Sequence, residues 1–266
     1  MITALDHVAI AVEDFEAAVD GYRRLLGREP DLEPGGGAKR AWFRFSNMAL
    51  EIIAPDGPGP AGDRLRAQLA AHGEGLWLMA FAVENLQAAA QLITRRGLPV
   101  EVLADRPIAR AEAAGLRLVL LEAGKAAPSP ATAEGAVEKL DHVVVRTPNA
   151  DRAVANFGGR LGLDLRLDRA NEGWGARQLF FKAGDTVIEF GASLKAPVTD
   201  EPDSFGGLAW RMEDGEATHA RLAAAGFNVS ELRTGRKPGT HVFTVRDAPG
   251  GVPTILLSAE PAPEPA

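Results

Sequence analysis

The sequence predicts an α+β protein. Four strand–helix–strand–strand–strand (βαβββ) units pair into two cup-shaped mixed sheets with helices outside. Three observations predict this. The run Leu5-Asp6-His7-Val8-Ala9-Ile10 returns 135 residues later as Leu140-Asp141-His142-Val143-Val144-Val145, and the register holds without a gap for about twenty further positions, so the chain is a tandem repeat. Within each half, apolar alternation gives way to a helical stripe and then returns to alternation. The strand-to-helix junction Ala11-Val12-Glu13-Asp14 also has counterparts inside the halves, at Ala82-Val83-Glu84-Asn85 and Arg211-Met212-Glu213-Asp214. One unit cannot bury both faces of its own sheet, so units should pair.

Taken in order, residues 4–12 form a strand, with Leu5, His7, Ala9 and Ala11 on one face and Val8, Ile10 and Val12 on the other. Residues 13–27 form a helix whose apolar stripe is Phe15, Ala18, Val19, Tyr22, Leu25 and Leu26, closed by Gly27. Asp31 to Gly37 reads as a flexible turn. Its glycines are not a phosphate-binding loop, because no Gly-Lys-Ser/Thr and helix follow. Strands over 40–46 and 48–54 close the unit around Asn47, and the second carries Glu51 among apolar residues. A short helix over 62–72 leads to the second unit, with a strand at 75–83, a helix over 84–96 and strands near 98–103, 108–113 and 116–122.

Residues 123–138 read as a low-complexity linker between lobes at 1–122 and 139–258. The second lobe repeats the plan: a strand at 139–146, a helix over 149–161, and strands near 164–168, 176–182 and 185–191, the last holding Glu189. Its fourth unit has a strand from Gly206, a helix over 214–225 and strands near 227–232, 240–246 and 253–258. The Pro-rich tail at 259–266 reads as disordered.

Composition removes several classes of function. A net charge of −7 leaves no global basic field, so neither nucleic acid nor an anionic membrane is expected as a partner. The absence of cysteine excludes disulfides, thiolate metal sites and a cysteine nucleophile. The N-terminus lacks the basic start and apolar run of a signal peptide, and no apolar stretch approaches the ~20 residues of a membrane span, so a cytoplasmic location is expected. There is no serine nucleophile elbow and no dinucleotide fingerprint.

The Leu-Asp-His-Val opening of each half, the helix ending in Leu-Gly and the Glu in the fourth strand of the same unit resemble the vicinal-oxygen-chelate superfamily. That superfamily includes glyoxalase I, methylmalonyl-CoA epimerase, extradiol dioxygenases and the fosfomycin and bleomycin resistance proteins. The resemblance spans about residues 4–258. It implies a divalent metal (Zn, Fe, Mn, Ni or Mg) held by His7 and Glu51 in one lobe and by His142 and Glu189 in the other. The positions matching His7 in units two and four are Leu78 and Gly207, and the last strands of those units carry no matching carboxylate. Each cup is therefore expected to hold one His and one Glu, two ligands where a strong site uses three or four. The rival reading is a His–Glu hydrogen bond without metal.

Other residues are weighed on their surroundings. Strand alternation puts Asp6 and Asp141 opposite the histidines or at the strand mouth, as strand-start hydrogen-bond acceptors. Arg146 and Arg211 stand in register with Ala11 and Ala82, so two guanidinium groups are expected in the C-terminal cup, suited to a substrate carboxylate or phosphate. An internal ion pair, for instance with Glu189, is the alternative. His241 is a candidate third ligand or acid–base, against a surface role. Arg233, Arg236 and Lys237 are a candidate anion clamp, against a solvated loop. Trp174, between glycines, is a candidate lid or stacking residue, while Trp42, Trp77 and Trp210 read as helix-packing residues.

The expected function is a glyoxalase-like, metal-assisted lyase or isomerase acting on a small oxyanionic substrate in the C-terminal cup. Glu189 or His241 would move the proton, and Arg146, Arg211 and Trp174 would hold the substrate. The alternatives are metal-free sequestration of an anionic or aromatic compound, and an iron dioxygenase with His241 as third ligand. A homodimer is left open.

Overall fold

The computed structural model describes residues 1–122, 124, 127–235 and 239–258; the tail at 259–266, with Arg236 and Lys237, lies outside them. Lobe one contains β1 (Ile2–Ala11), β2 (Asp31–Gly35), β3 (Ala38–Arg44), β4 (Ala49–Pro55), β5 (Gly75–Val83), β6 (Val100–Val102), β7 (Ile108–Ala113) and β8 (Leu116–Glu122). Its helices are α1 (Phe15–Leu26), α2 (Pro60–His72) and α3 (Leu86–Arg95). Lobe two contains β9 (Val137–Arg146), β10 (Asp164–Asn171), β11 (Ala176–Ala183), β12 (Thr186–Ser193), β13 (Ser204–Met212), β14 (Arg233–Thr234), β15 (His241–Val245) and β16 (Thr254–Ser258). Its helices are α4 (Ala150–Ala153), which continues as a π-helix over Val154–Arg160, and α5 (Gly215–Ala224).

The strands form two eight-stranded sheets of identical order, β2-β3-β4-β1-β5-β8-β7-β6 and β10-β11-β12-β9-β13-β16-β15-β14. In each, the first strand of one unit runs antiparallel to the first strand of the next and parallel to the last strand of its own unit. Unit one therefore pairs with unit two, and three with four. The helices follow from the same local signals. Asp14, Asn85, Asn149 and Asp214 each accept a backbone N–H in the first turn of the helix they precede. Gly27, at φ 65°, ends α1 and donates its N–H to the Arg23 carbonyl.

The central ladders carry a feature that alternation misses. The β1–β5 pairing runs Leu5↔Phe81 and then His7↔Ala80, leaving Asp6 as an extra residue. The β9–β13 pairing leaves Asp141 out in the same way, between Leu140↔Trp210 and His142↔Ala209. Such a bulge shifts the parity of the residues before it. Leu5 thus joins Val8 and Ile10 in the helix-side core, correcting the expectation that it shares a face with His7. Asp6 and His7 both reach the concave side, and their side chains touch.

Three other expectations change. Asp31–Gly35 is an edge strand and not a turn; all five of its residues are exposed, so no apolar pattern marks it. Residues 227–232 form no strand beyond an isolated bridge from Val229 to Val245. The linker is docked in part on lobe one: Ser129 is buried, its N–H donates to the Arg44 carbonyl, and Thr132 donates to the Gly27 carbonyl.

The helix-side core is continuous across both lobes. Phe45 meets Trp210 with ring centroids 5.0 Å apart, the Tyr22 hydroxyl donates to the Pro249 carbonyl at 3.0 Å, and Asn47 donates to the Leu140 carbonyl at 2.7 Å. Arg221 of α5 donates to the Arg24, Leu25 and Gly135 carbonyls, the first two at the C-terminal end of α1. A separate small cluster (Ala9, Ala11, Ala38, Ile53) lies on the concave side of lobe one, where Ala61, Leu65 and Leu69 of α2 cover it. Replacing Arg221 with Ala leaves those partly buried helix-end carbonyls without a charged donor. It should lower unfolding stability by about 1.5–3 kcal/mol. Denaturant titration measures this, and a loss too small to resolve would mean that Arg221 does not hold the junction.

Candidate functional site

In the N-terminal cup, β1 supplies Asp6 and His7, β4 supplies Glu51 and β3 supplies Arg40 and Trp42. His7 Nδ1 lies 2.7 Å from Asp6 Oδ1, and His7 Nε2 lies 3.7 Å from Glu51 Oε2. Arg40 Nε approaches Glu51 Oε1 at 3.0 Å, and the Trp42 ring meets the His7 ring edge-on at 5.1 Å. Glu51 is almost fully buried. Burial raises its pKa above the ordinary carboxylate value; the charges of His7 and Arg40 oppose the shift without cancelling it, and Glu33 adds to it.

His7, Glu33, Arg40, Trp42 and Glu51 line a cavity of about 1100 Å³. Trp42 and Trp77 form part of its wall; for Trp42 this corrects the expectation of helix packing, whereas Trp77 also packs against the cluster that α2 completes, and Trp210 lies in the core. Arg64 on α2, Arg106 on the β6–β7 loop and Arg110 on β7 also line it.

The C-terminal cup holds the same triad. His142 Nδ1 is 2.9 Å from Asp141 Oδ1, and His142 Nε2 is 3.1 Å from Glu189 Oε2. Gln178 donates to the other Glu189 oxygen at 2.7 Å, and Arg211 pairs with Asp141 Oδ2. The result is one chain of partners: Arg211, Asp141, His142, Glu189, Gln178. Burial works against a charged Asp141, but His142 and Arg211 outweigh it and hold the carboxyl pKa at about 2.

The structure does not bring Arg146 and Arg211 together. Arg211 is taken up by Asp141, the residue that the bulge turns onto its side of the sheet. This is the internal-pair alternative, with Asp141 in place of Glu189. Arg146 is exposed and lines a second cleft of about 770 Å³, shared with residues of lobe one such as Gln68 and His72. His241 has the parity of buried Phe243 and packs its Cβ beside Gly215 at the start of α5, on the helix side, away from His142 and Glu189. Trp174 is 49% exposed in the turn between β10 and β11, with the Arg169 guanidinium 5.3 Å from its ring centroid. Arg233 is exposed on β14.

The donor sets do not fit a resident divalent metal. Each cup offers one imidazole nitrogen and one carboxylate, because Asp6 and Asp141 bind the far side of the ring. Among the described residues no three His, Asp or Glu converge as ligands. A cation on Glu51 would also lie beside the Arg40 guanidinium.

Sequence reasoning found the extra helix over 62–72 but missed that it covers one cup and so distinguishes the lobes. In lobe one the connection between the fourth and fifth strands contains α2, which covers the concave side and carries Arg64. The corresponding connection in lobe two, between β12 and β13, has no helix. Comparing connection lengths within the repeat would have exposed the insertion.

A sequence model of the glyoxalase/bleomycin resistance protein/dioxygenase superfamily matches residues 6–123 and 141–244. The chain belongs to this superfamily. It is 36% identical over 104 residues to an ethylmalonyl-CoA/methylmalonyl-CoA epimerase of Cereibacter sphaeroides, a match covering 38% of this chain and 75% of that protein. Its fold is shared by a mutant 4-hydroxymandelate synthase from Streptomyces coelicolor, with a TM-score of 0.76, 12% identity and coverage of 100% of this chain and 95% of that one. A 2,3-dioxygenase from Pseudomonas sp. KL28 also shares it, with a TM-score of 0.68, 14% identity and coverage of 100% and 96%.

The Asp141 chain gives a stability prediction. Its folded pKa is depressed from 3.8 to about 2, so its contribution is complete above the ordinary value and is lost as pH falls from about 4 to about 2. Asp141→Asn should cost roughly 2 kcal/mol at pH 5, from a shift of nearly two units at 1.36 kcal/mol each. The gap between variant and wild type should narrow toward pH 2. Parallel denaturation curves across that range test it, and a gap independent of pH would be the wrong outcome.

Proposed function

We propose that the N-terminal cup is the working site, and that it binds a small oxyanionic substrate and transfers a proton on it, as an isomerase or epimerase does. The observation that carries this reading is Glu51: a buried carboxyl with a raised pKa, beside His7, on the wall of a cavity large enough for a substrate. A base whose pKa lies closer to neutrality both accepts and returns a proton effectively. In the proposed step, one member of the Glu51–His7 pair takes a proton from a carbon next to a carbonyl. The electron pair moves onto the carbonyl oxygen, the Arg40 guanidinium offsets that charge, and the proton returns to carbon. Asp6 fixes the ring orientation of His7 through Nδ1, leaving Nε2 for the cup.

The similarity to an epimerase named for ethylmalonyl-CoA and methylmalonyl-CoA supports a proton transfer next to a thioester carbonyl. The reading departs from the expected C-terminal site because Arg211 is occupied there and α2 covers the other cup. An iron dioxygenase needs two His and one carboxylate on one metal, and among the described residues neither cup assembles that set. One observation favours the sequestration alternative: Trp42 and Trp77 on the cavity wall suit a flat aromatic ligand held without chemistry.

Deuterium uptake from solvent separates the two readings. Methylmalonyl and ethylmalonyl thioesters in heavy water should exchange their 2-hydrogen, followed by proton NMR. Glu51→Gln should slow exchange by about 10²–10⁴-fold while substrate is still bound. Binding without exchange by the wild type would leave the sequestration reading, and exchange untouched by the substitution would remove Glu51 from the chemistry. A second expectation concerns metal: extensive dialysis against a chelator should leave the exchange rate unchanged. A loss restored by a single divalent cation would restore the metal-assisted reading.

A further inference from the structure

The basic rim of the N-terminal cup is not needed for a proton transfer at its wall. Arg64, Arg106 and Arg110 come from three different elements and line the same cavity. They are close enough to repel: burial lowers the Arg64 pKa most, Arg110 and Arg106 lower it further, and Asp105 opposes them. Asp105 pairs with Arg106 at 3.5 Å, so one carboxylate serves a cluster of three cations. Glu101 stands opposite Arg110 in the β6–β7 ladder, yet among the described residues no carboxylate comes within ion-pair distance of Arg110 or of Arg64. Of the other acids lining the cavity, Glu33 accepts from the Trp42 ring nitrogen at 3.0 Å and Glu112 stands opposite Arg117 in the β7–β8 ladder. Clustered cations that lack carboxylate partners repel one another unless an anion lies between them. Guanidinium forks from several directions match a tetrahedral oxyanion better than a planar carboxylate. The cavity volume, about 1100 Å³, is at the upper end for small-ligand sites and leaves room beyond an acid seated at His7 and Glu51.

We infer that Arg64, Arg106 and Arg110 form a subsite for a phosphate group, so that the substrate is a phosphorylated molecule whose reacting end lies at Glu51 and whose phosphate lies at the rim. This rests on the proposed use of the N-terminal cup, but its test does not depend on the proton transfer.

The intact chain is titrated with glycerol phosphate, inorganic phosphate and acetate at constant ionic strength by calorimetry. Both phosphates should bind at least tenfold more tightly than acetate. The double variant Arg64→Gln/Arg110→Gln should weaken phosphate binding tenfold or more, and Arg64→Lys/Arg110→Lys should recover part of it. Arg146→Gln, in the other cleft, should bind like wild type. Phosphate binding that survives the double Gln variant would overturn the inference. Binding of inorganic phosphate with exclusion of the monoester would also overturn it, since it would mark the rim as a site for a free ion. If deuterium exchange fails while the phosphate results hold, only the proton-transfer reading falls.

Discussion

A single extra residue in each central ladder determines what the two cups contain. Without the bulges at Asp6 and Asp141, strand alternation would direct those carboxylates into the helix-side core, where an unpaired charge is costly. With them, the acid reaches the concave side and binds its own neighbour, His7 or His142. The imidazole is then held from Nδ1, and its Nε2 can face only the Glu of the adjacent strand, β4 or β12. The same displacement moves Leu5 and Leu140 into the apolar core. Packing and site chemistry are therefore set by one backbone irregularity, repeated in both halves.

Much of this architecture was legible in the sequence. The repeat related His7 to His142, while Glu51 and Glu189, 138 residues apart, were matched by their place in the fourth strand of each unit, and each Glu does lie beside its His. Helix ends were legible from Asp14, Asn85, Asp214 and Gly27, whose roles are local and need no tertiary knowledge. What alternation could not show was the bulge, since nothing in Leu5-Asp6-His7 marks where its partner strand skips a residue. That failure propagated. It put Asp141 on the wrong face and so left Arg211 free for a substrate, when in the fold the two are paired. His241 was left open between a ligand and a surface role, and its parity with buried Phe243 and Val245 on β15 puts it on the helix side.

The two lobes began from one plan and were elaborated differently. Lobe two satisfies its triad internally, with Arg211 at one end and Gln178 at the other. Lobe one has Ala82 where lobe two has Arg211, and so leaves Asp6 without an arginine. It adds α2 over the concave side and gathers arginines at the cavity rim. A saturated hydrogen-bond chain rigidifies its surroundings, whereas a buried carboxyl with a raised pKa retains stored electrostatic cost. The first arrangement suits a scaffold and the second suits chemistry.

The continuous core between the lobes has a consequence for how the molecule responds to a ligand. Phe45 and Trp210 each complete their burial across the junction, and Arg221 closes the end of a helix in the other repeat. A half-chain cut at the linker would leave aromatic surface and helix-end carbonyls bare, so the duplicated halves are no longer separable folding units. Unfolding either lobe breaks the shared contacts of both. A compound that bound either cup would therefore be expected to raise the melting temperature of the chain as a whole and not of one lobe alone.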